Sequence, residues 1–197
     1  MAEILVLYYS RHGHVAQLAN LVARGVEEVD GMQARIRTVP RVATAVQSPE
    51  DAIPSSGPPY ATLEDLRQCV GVAVGSPTHF GNMAASMKYF WDNTSTLWLG
   101  GALAGKPASV FTASSSMHGG QETTLVSMML PLMHHGMLIV GLPYTDEDLM
   151  NTTGGGTPYG ATHVSGSDSR GPVTEAEQRL SRALGRRLAQ IAKKLAV

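Results

Sequence analysis

Ser10-Arg11-His12-Gly13-His14-Val15 joins an apolar run, Ile4 to Tyr9, to an amphipathic segment, His14 to Val29. A strand that ends in Ser-x-x-Gly and turns at once into a helix brings a hydroxyl, free backbone N–H groups and the positive end of a helix dipole to one point. Such a point holds a phosphate. The pattern recurs twice. Val70 to Val74 runs into Gly75-Ser76-Pro77-Thr78-His79-Phe80-Gly81-Asn82, and Ala108 to Ala113 runs into Ser114-Ser115-Ser116-Met117-His118-Gly119-Gly120. The first loop is neither Gly-x-Gly-x-x-Gly nor Gly-x-x-x-x-Gly-Lys-Ser/Thr, so a single phosphate fits it better than two or three.

The other two loops flank a planar group, to which they offer N–H donors, hydroxyls and the Phe80 ring. A monophosphate at one end and a polar-edged flat ring at the other describe flavin mononucleotide, FMN. The lining expected from these loops is Ser10, Arg11, His12, Gly13, His14 and Val15 at the phosphate; Pro77, Thr78, His79, Phe80, Gly81 and Asn82 on one side of the ring; and Ser114, Ser115, Ser116, Met117, His118 and Gly119 on the other.

The elements that must position these loops alternate. Glu3 to Tyr9 reads as a strand buried on both faces, and Val15, Leu18, Ala19, Val22 and Val26 repeat behind it at helical spacing. Gln33 to Val39 is a second, more polar strand, nearer an edge. Residues 40 to about 61 form a Pro-rich surface loop, and Thr62 with Asp65 opens a short helix with a capping-box pattern. Val70 to Val74, Ala108 to Ala113 and Met137 to Val140 are strands three to five, with helices from about Met83 to Asp92 and from Gln121 onward. Pro131 is expected to kink or end that last helix early. Residues 142 to about 172, rich in Gly, Thr and Ser, read as a functional insertion or lid after strand five. Thr174 and Glu177 cap a final helix whose Leu180, Leu184, Leu188, Ile191 and Leu195 line one face. The sum is one α/β domain over residues 1–197. Its fold is a flavodoxin-like doubly wound five-stranded parallel sheet, order 2-1-3-4-5, with helices on both faces and the three loops around the switch point.

Composition narrows the partners. A net charge of −1 with interspersed signs gives no attraction to nucleic acid or an anionic membrane. No apolar run reaches the roughly 18 residues of a spanning helix, and no signal-peptide pattern opens the sequence, so a cytoplasmic protein is expected. Cys69 is the only cysteine, which excludes an intrachain disulfide and suits a reducing compartment. Seven His are present, but no Asp, Glu or Cys accompanies them at ligand spacing, and no metal is expected.

The sequence resembles the WrbA-type (tryptophan-repressor-binding protein) NAD(P)H:quinone oxidoreductases of the flavodoxin-like family, from the first strand to the last helix. The resemblance is carried by Val6-Leu7-Tyr8-Tyr9-Ser10 with Gly13-His14, Pro77-Thr78 with Phe80-Gly81-Asn82-Met83, Leu97-Trp98, Gly119-Gly120-Gln121-Glu122, His134-His135-Gly136-Met137, and Gly154 to Ala161. It implies FMN as cofactor, NADH or NADPH as hydride donor and a quinone as acceptor. It also implies ping-pong use of one face of the ring, and a homotetramer. By the same resemblance Trp98 and His134 are the catalytic, substrate-side groups, with His134 also touching the flavin and His12 meeting the nicotinamide. Here His12 stands where the family usually has Tyr, and His79 where it usually has Arg. Two other readings share the fold: a flavodoxin-type one-electron carrier, and a non-catalytic flavin-binding interaction protein.

Overall fold

A computed structural model describes residues 1–42, 54 and 56–195. The elements in chain order are β1 (Ala2–Tyr8), α1 (His14–Glu27), β2 (Met32–Thr38), α2 (Leu63–Gln68), β3 (Gly71–Pro77), α3 (Ala85–Asp92) and α4 (Ser95–Leu99). They continue with β4 (Pro107–Ser114), α5 (Gln121–His134), β5 (Leu138–Ile139), α6 (Glu147–Asn151), β6 (Ala161–Val164) and α7 (Glu175–Leu195). Most of the Pro-rich loop, residues 43–53 and 55, lies outside the described residues.

All the strand pairs are parallel, in the order β2-β1-β3-β4-β5, with β6 also on β4. The chain therefore reverses its direction of winding between β1 and β3, and the flavodoxin-like order expected from the alternation is the one formed. Side-chain alternation along the strands builds a core on each face. Ile4, Val6 and Tyr8 point to one side with Leu18, Val22, Leu180, Leu184 and Leu188 of α1 and α7. Leu5, Leu7, Val72 and Val74 point to the other with Leu66, Met87, Leu125, Met128 and Leu132 of α2, α3 and α5. Each fully buried Leu of this kind contributes about 1.5–3 kcal/mol of transfer free energy.

Two glycines let α1 and α7 touch backbone to backbone. A Cβ on Gly25 would lie 2.0 Å from the Arg182 carbonyl oxygen, and one on Gly185 would lie 2.0 Å from that of Val22. The two helices that carry His14 and Glu177 at their N-terminal ends are thus locked against each other at short range.

Both expected capping boxes form. The Thr62 side chain accepts from the Asp65 N–H while Asp65 accepts from the Thr62 N–H, and the Thr174–Glu177 pair does the same at α7. Two expectations are corrected. First, α5 runs through Pro131 to His134 instead of stopping. Leu125, Met128 and Leu132 are wholly buried on one side of it, so packing outweighs the loss of one helical hydrogen bond. Second, the insertion after strand five adds to the five strands expected. It holds α6, capped by Asp146, and β6, a sixth strand. β5 pairs with the start of β4 at Pro107 and Ala108, and β6 with its end from Phe111 to Ser114. The fifth position of the sheet is therefore shared by two short strands.

Candidate functional site

β1, β3 and β4 end side by side, and the loops that leave them enclose a cavity of about 380 Å³ at the switch point. That size falls within the range of small-molecule sites. It is lined by Ser10, Arg11, His12, His14 and Val15 after β1, Pro77 to Phe80 at the end of β3, and Ala113 to Ser115 at the end of β4, with Ser165 and Ser169 closing it.

At the first loop Gly13 takes φ +91°, a conformation open to glycine, and its N–H donates to Ser10 Oγ at 3.1 Å. It is the N-cap of α1 and no side chain caps the helix. Among the described residues the N–H groups of His14, Val15 and Ala16 meet no acceptor; the ladder begins with Gln17 N–H donating to Gly13 O at 3.0 Å. These donors and the helix dipole face the cavity, whose lining carries Arg11, His12, His14 and His79 and, among the described residues, no carboxylate. The donor set suits a phosphate.

The second loop is a tight turn in which His79 and Asn82 exchange backbone hydrogen bonds of 2.8 and 3.0 Å. Its central residues, Phe80 and Gly81, both have positive φ, +54° and +73°. A phenylalanine there costs about 1–2 kcal/mol, and strain of this kind gathers at ligand sites. The turn drives the Phe80 ring wholly into solvent at the cavity rim. Below it, Thr124 Oγ1 lies 3.2 Å from Thr78 Oγ1, Thr78 Oγ1 lies 3.3 Å from Thr112 Oγ1, and Thr112 Oγ1 donates to the Ser76 carbonyl at 2.7 Å. These hydroxyls fix the floor. The third loop folds on the Ser116 carbonyl, which accepts from Ser114 Oγ at 2.8 Å, Gln121 Nε2 at 3.0 Å and the Gly119 N–H at 3.1 Å. It abuts the second: a Cβ on Gly120 would lie 2.8 Å from Gly81 Cα.

Of the residues expected at the site, Gly81 and Asn82 face a neighbouring depression with Glu122 and Tyr159. Ser116, Met117, His118 and Gly119 lie beyond the cavity wall, with His118 held at φ +57°. Trp98 and His134 are brought together, but elsewhere. They line a depression of about 430 Å³ with Trp91, Leu130, Pro131 and His135. Because α5 continues past Pro131, it carries His134 away from the ends of the strands. Beside it the His135 imidazole is buried, and burial, helped by the neighbouring His134, pushes its pKa below the ordinary value. Its Nε2–H donates to Thr94 Oγ1 at 2.8 Å, since the Thr94 hydroxyl spends its own proton on the Trp91 carbonyl.

Sequence reasoning missed Ser165, Ser169 and the pair behind them. His163 is fully buried, and its Nδ1 lies 2.9 Å from Glu177 Oε2. Burial works to raise the Glu177 pKa, yet the hydrogen bonds from His163 and from the Thr174 and Gly155 N–H groups outweigh it and hold the carboxyl below its ordinary value. The capping box pointed to Glu177; nothing in the local pattern pointed to His163. Among the described residues no three His, Cys, Asp or Glu side chains gather as a metal site requires, and no helix is long and apolar enough to cross a membrane.

The family described as NADPH-dependent FMN reductase matches residues 2–145. A protein of Chromohalobacter salexigens named NAD(P)H dehydrogenase (quinone) is 45% identical over 205 residues, covering 100% of both chains. One of Solidesulfovibrio magneticus with the same name is 42% identical and covers 98% of each. Among solved structures, a flavodoxin, WrbA-like protein from Agrobacterium tumefaciens superposes with a TM-score of 0.68 at 23% identity, covering 98% of this chain and 99% of that one. At that identity the likeness bears on the fold.

Proposed function

The chain belongs to the NADPH-dependent FMN reductase family, and from that premise we propose that it is an FMN-dependent NAD(P)H:quinone oxidoreductase, in keeping with relatives at 42–45% identity that are named NAD(P)H dehydrogenase (quinone). The observation that carries the reading is the convergence of three strand-end loops on one carboxylate-free cavity, with the first-turn N–H groups of α1 unpaired at one end of it. Ser10 to Val15 would hold the phosphate of FMN, and Thr78 to Phe80 with Ser114 and Ser115 would hold its ring. Held there, FMN would supply the two-electron, ping-pong hydride chemistry that links NADH or NADPH to a quinone.

The chain's own residues bind and orient. Backbone donors of the second and third loops meet the edge of the ring where charge develops. Phe80 walls the cavity mouth, and the imidazoles of His12 and His79 stand within it to receive the nicotinamide and to pass protons to quinone oxygens. Trp98 and His134 join the site from a neighbouring copy in a homotetramer. Support for this is the apolar surface around them, where Trp98 is 52%, Leu99 77%, Leu130 55% and Met133 59% exposed. A buried, unpaired Cys69 suits a cytoplasmic location.

The test is the absorbance spectrum of the purified protein with FMN, then NADH, then benzoquinone. Bleaching by NADH and rapid return with quinone, over many turnovers, is expected. FMN that binds but sustains quinone-dependent oxidation of neither NADH nor NADPH would refute the enzyme and favour the one-electron carrier.

A further inference from the structure

Past the phosphate end of the cavity a second depression, of about 560 Å³, runs along the outer side of α1. Gln17, Asn20 and Arg24 of that helix line it, with Arg170 in the loop before α7. His14 lines both spaces and stands at their boundary. Its ring is fixed from two sides. The Nε2–H donates to the Ser169 carbonyl at 2.9 Å, because a carbonyl only accepts. The ring also packs on the buried His163, with centroids 5.1 Å apart, and His163 is held in turn by Glu177. Ser169 lines the cavity and Arg170 the depression behind it, so the His14–Ser169 hydrogen bond is a bridge across the passage from one to the other. The far end of the bridge is stiff as well. Ser169 is held at φ +55°, which a residue with a Cβ adopts only at a cost, while its N–H donates to the Gly166 carbonyl at 3.0 Å and the Gly171 N–H to the Ser165 carbonyl at 2.7 Å.

Behind the bridge the chemistry suits a further phosphate. Among the described residues the guanidinium groups of Arg24 and Arg170 make no ion pair or hydrogen bond, and no Asp or Glu lines either space. Asp168, outside both linings, accepts the Arg170 backbone N–H at 3.1 Å. Unpaired guanidinium groups bind phosphate oxygens and stack on flat bases. FMN ends in a phosphate monoester, whereas in FAD the same phosphorus is joined onward through a second phosphate to adenosine. A loop that holds the first phosphate therefore accepts FAD only where space continues beyond it, and here that space is shut by His14 and Ser169.

We propose that the His14–Ser169 bridge makes the site specific for a terminal phosphate, admitting FMN and turning away FAD, and that the arginine-lined depression behind it takes an adenylate group once the bridge is removed. His14 is then a specificity-determining residue by what it blocks: discrimination comes from an obstacle to the longer ligand as much as from contacts to the shorter one. The inference rests on the FMN reading, because it requires the phosphate at Ser10 to Val15.

Calorimetric titration of the flavin-free protein with riboflavin, FMN and FAD gives three dissociation constants. Wild type is expected to bind FMN more tightly than riboflavin, and FAD about 100-fold or more weakly than FMN. His14→Ala removes the bridge and should narrow the gap between FMN and FAD by about tenfold or more, with FAD held more tightly than by wild type. Arg24→Ala and Arg170→Ala, added together to His14→Ala, should abolish that gain for FAD and leave the Kd for FMN within about threefold of the His14→Ala value. His14→Gln keeps a donor for the Ser169 carbonyl and should keep the preference for FMN. Should His14→Ala not fold, His14→Ser, small and suited to the start of a helix, makes the same opening. Wild type that holds FAD within tenfold of FMN, a gap that His14→Ala or His14→Ser leaves unchanged, or one narrowed only because FMN binds less well, overturns the bridge and leaves the FMN site standing. A gain for FAD that survives the loss of both arginines overturns the adenylate site. Wild type that binds FMN no better than riboflavin, or binds no flavin, overturns the phosphate reading on which the inference rests.

Discussion

Replacing Glu177 by Gln tests how much of the architecture around the cavity hangs on one carboxylate. The amide nitrogen of Gln cannot accept, so whichever oxygen it replaces, two donors lose their acceptor: the Gly155 and Val164 N–H groups on one side, or Thr174 N–H and His163 on the other. A buried donor left unpaired costs about 1–3 kcal/mol, so the pair amounts to about 2–6 kcal/mol. The second orientation is the cheaper, because His163 can switch tautomer and accept from the amide; the expected loss is then about 2–4 kcal/mol. Urea denaturation of the flavin-free protein at pH 7 should show a midpoint lower by about 1–2 M at an m-value near 2 kcal/mol/M. The sign with pH is fixed by the lowered folded pKa. Glu177 contributes its full stability above its unfolded value of about 4.3 and loses it as the pH falls through the lower folded value. The wild-type and Glu177→Gln curves, far apart at pH 7, should therefore converge below about pH 4. A difference under about 1 kcal/mol at pH 7, or one that persists into acid, would show that the carboxylate is not what holds these donors.

Gly185→Ala puts a methyl 2.0 Å from the Val22 carbonyl oxygen and must move α7 off α1 by about an ångström or more. A loss of about 1–3 kcal/mol and a melting temperature lower by roughly 2–12 °C are expected, and an unchanged melting temperature would contradict the helix contact. Phe80→Gly should act in opposite directions on fold and ligand. With the ring wholly exposed and its φ at +54°, the flavin-free protein should gain up to about 1 kcal/mol, the relief of the left-handed strain less the entropy cost of glycine. Fluorescence titration should show weaker FMN binding, and destabilisation by more than 1 kcal/mol would mean the ring packs somewhere.

The parts of the molecule that were legible in the sequence are those with a local physical signature. β1 is an unbroken β-rich run, α7 shows a complete apolar stripe, and Thr62–Asp65 and Thr174–Glu177 are capping boxes in sequence and structure alike. What escaped was either too short or too distant. Ala161–Val164 is a strand of 4 residues inside a Gly- and Thr-rich stretch, below the length at which a period of two can be recognised. Pro131 signals a stop locally, and only the burial of Leu125, Met128 and Leu132 against the sheet explains why the helix goes on. The cavity followed the same division. Ser10, Thr78 and Ser114 belong to motifs at strand ends, whereas Ser165 and Ser169 reach the lining through a long excursion, and His163 meets His14 across 149 positions of sequence that no local pattern connects.

That the border of the sheet beyond β4 is made of two pieces bears on how the protein survives in a crowded solution. A continuous bare strand there would offer a row of unpaired amides and carbonyls for another chain to extend, the first step of aggregation. Here the row is cut into runs of 2 and 4 residues, and the chain leaves the border between them to form α6. At the opposite border, β2 carries Arg35 and Arg37, tied to Glu3 and Asp65. Each rim is thus poorly suited as a template, one because it is interrupted and one because it is charged. An insertion that looks from the sequence like apparatus for the substrate also serves to keep copies of the sheet from joining edge to edge.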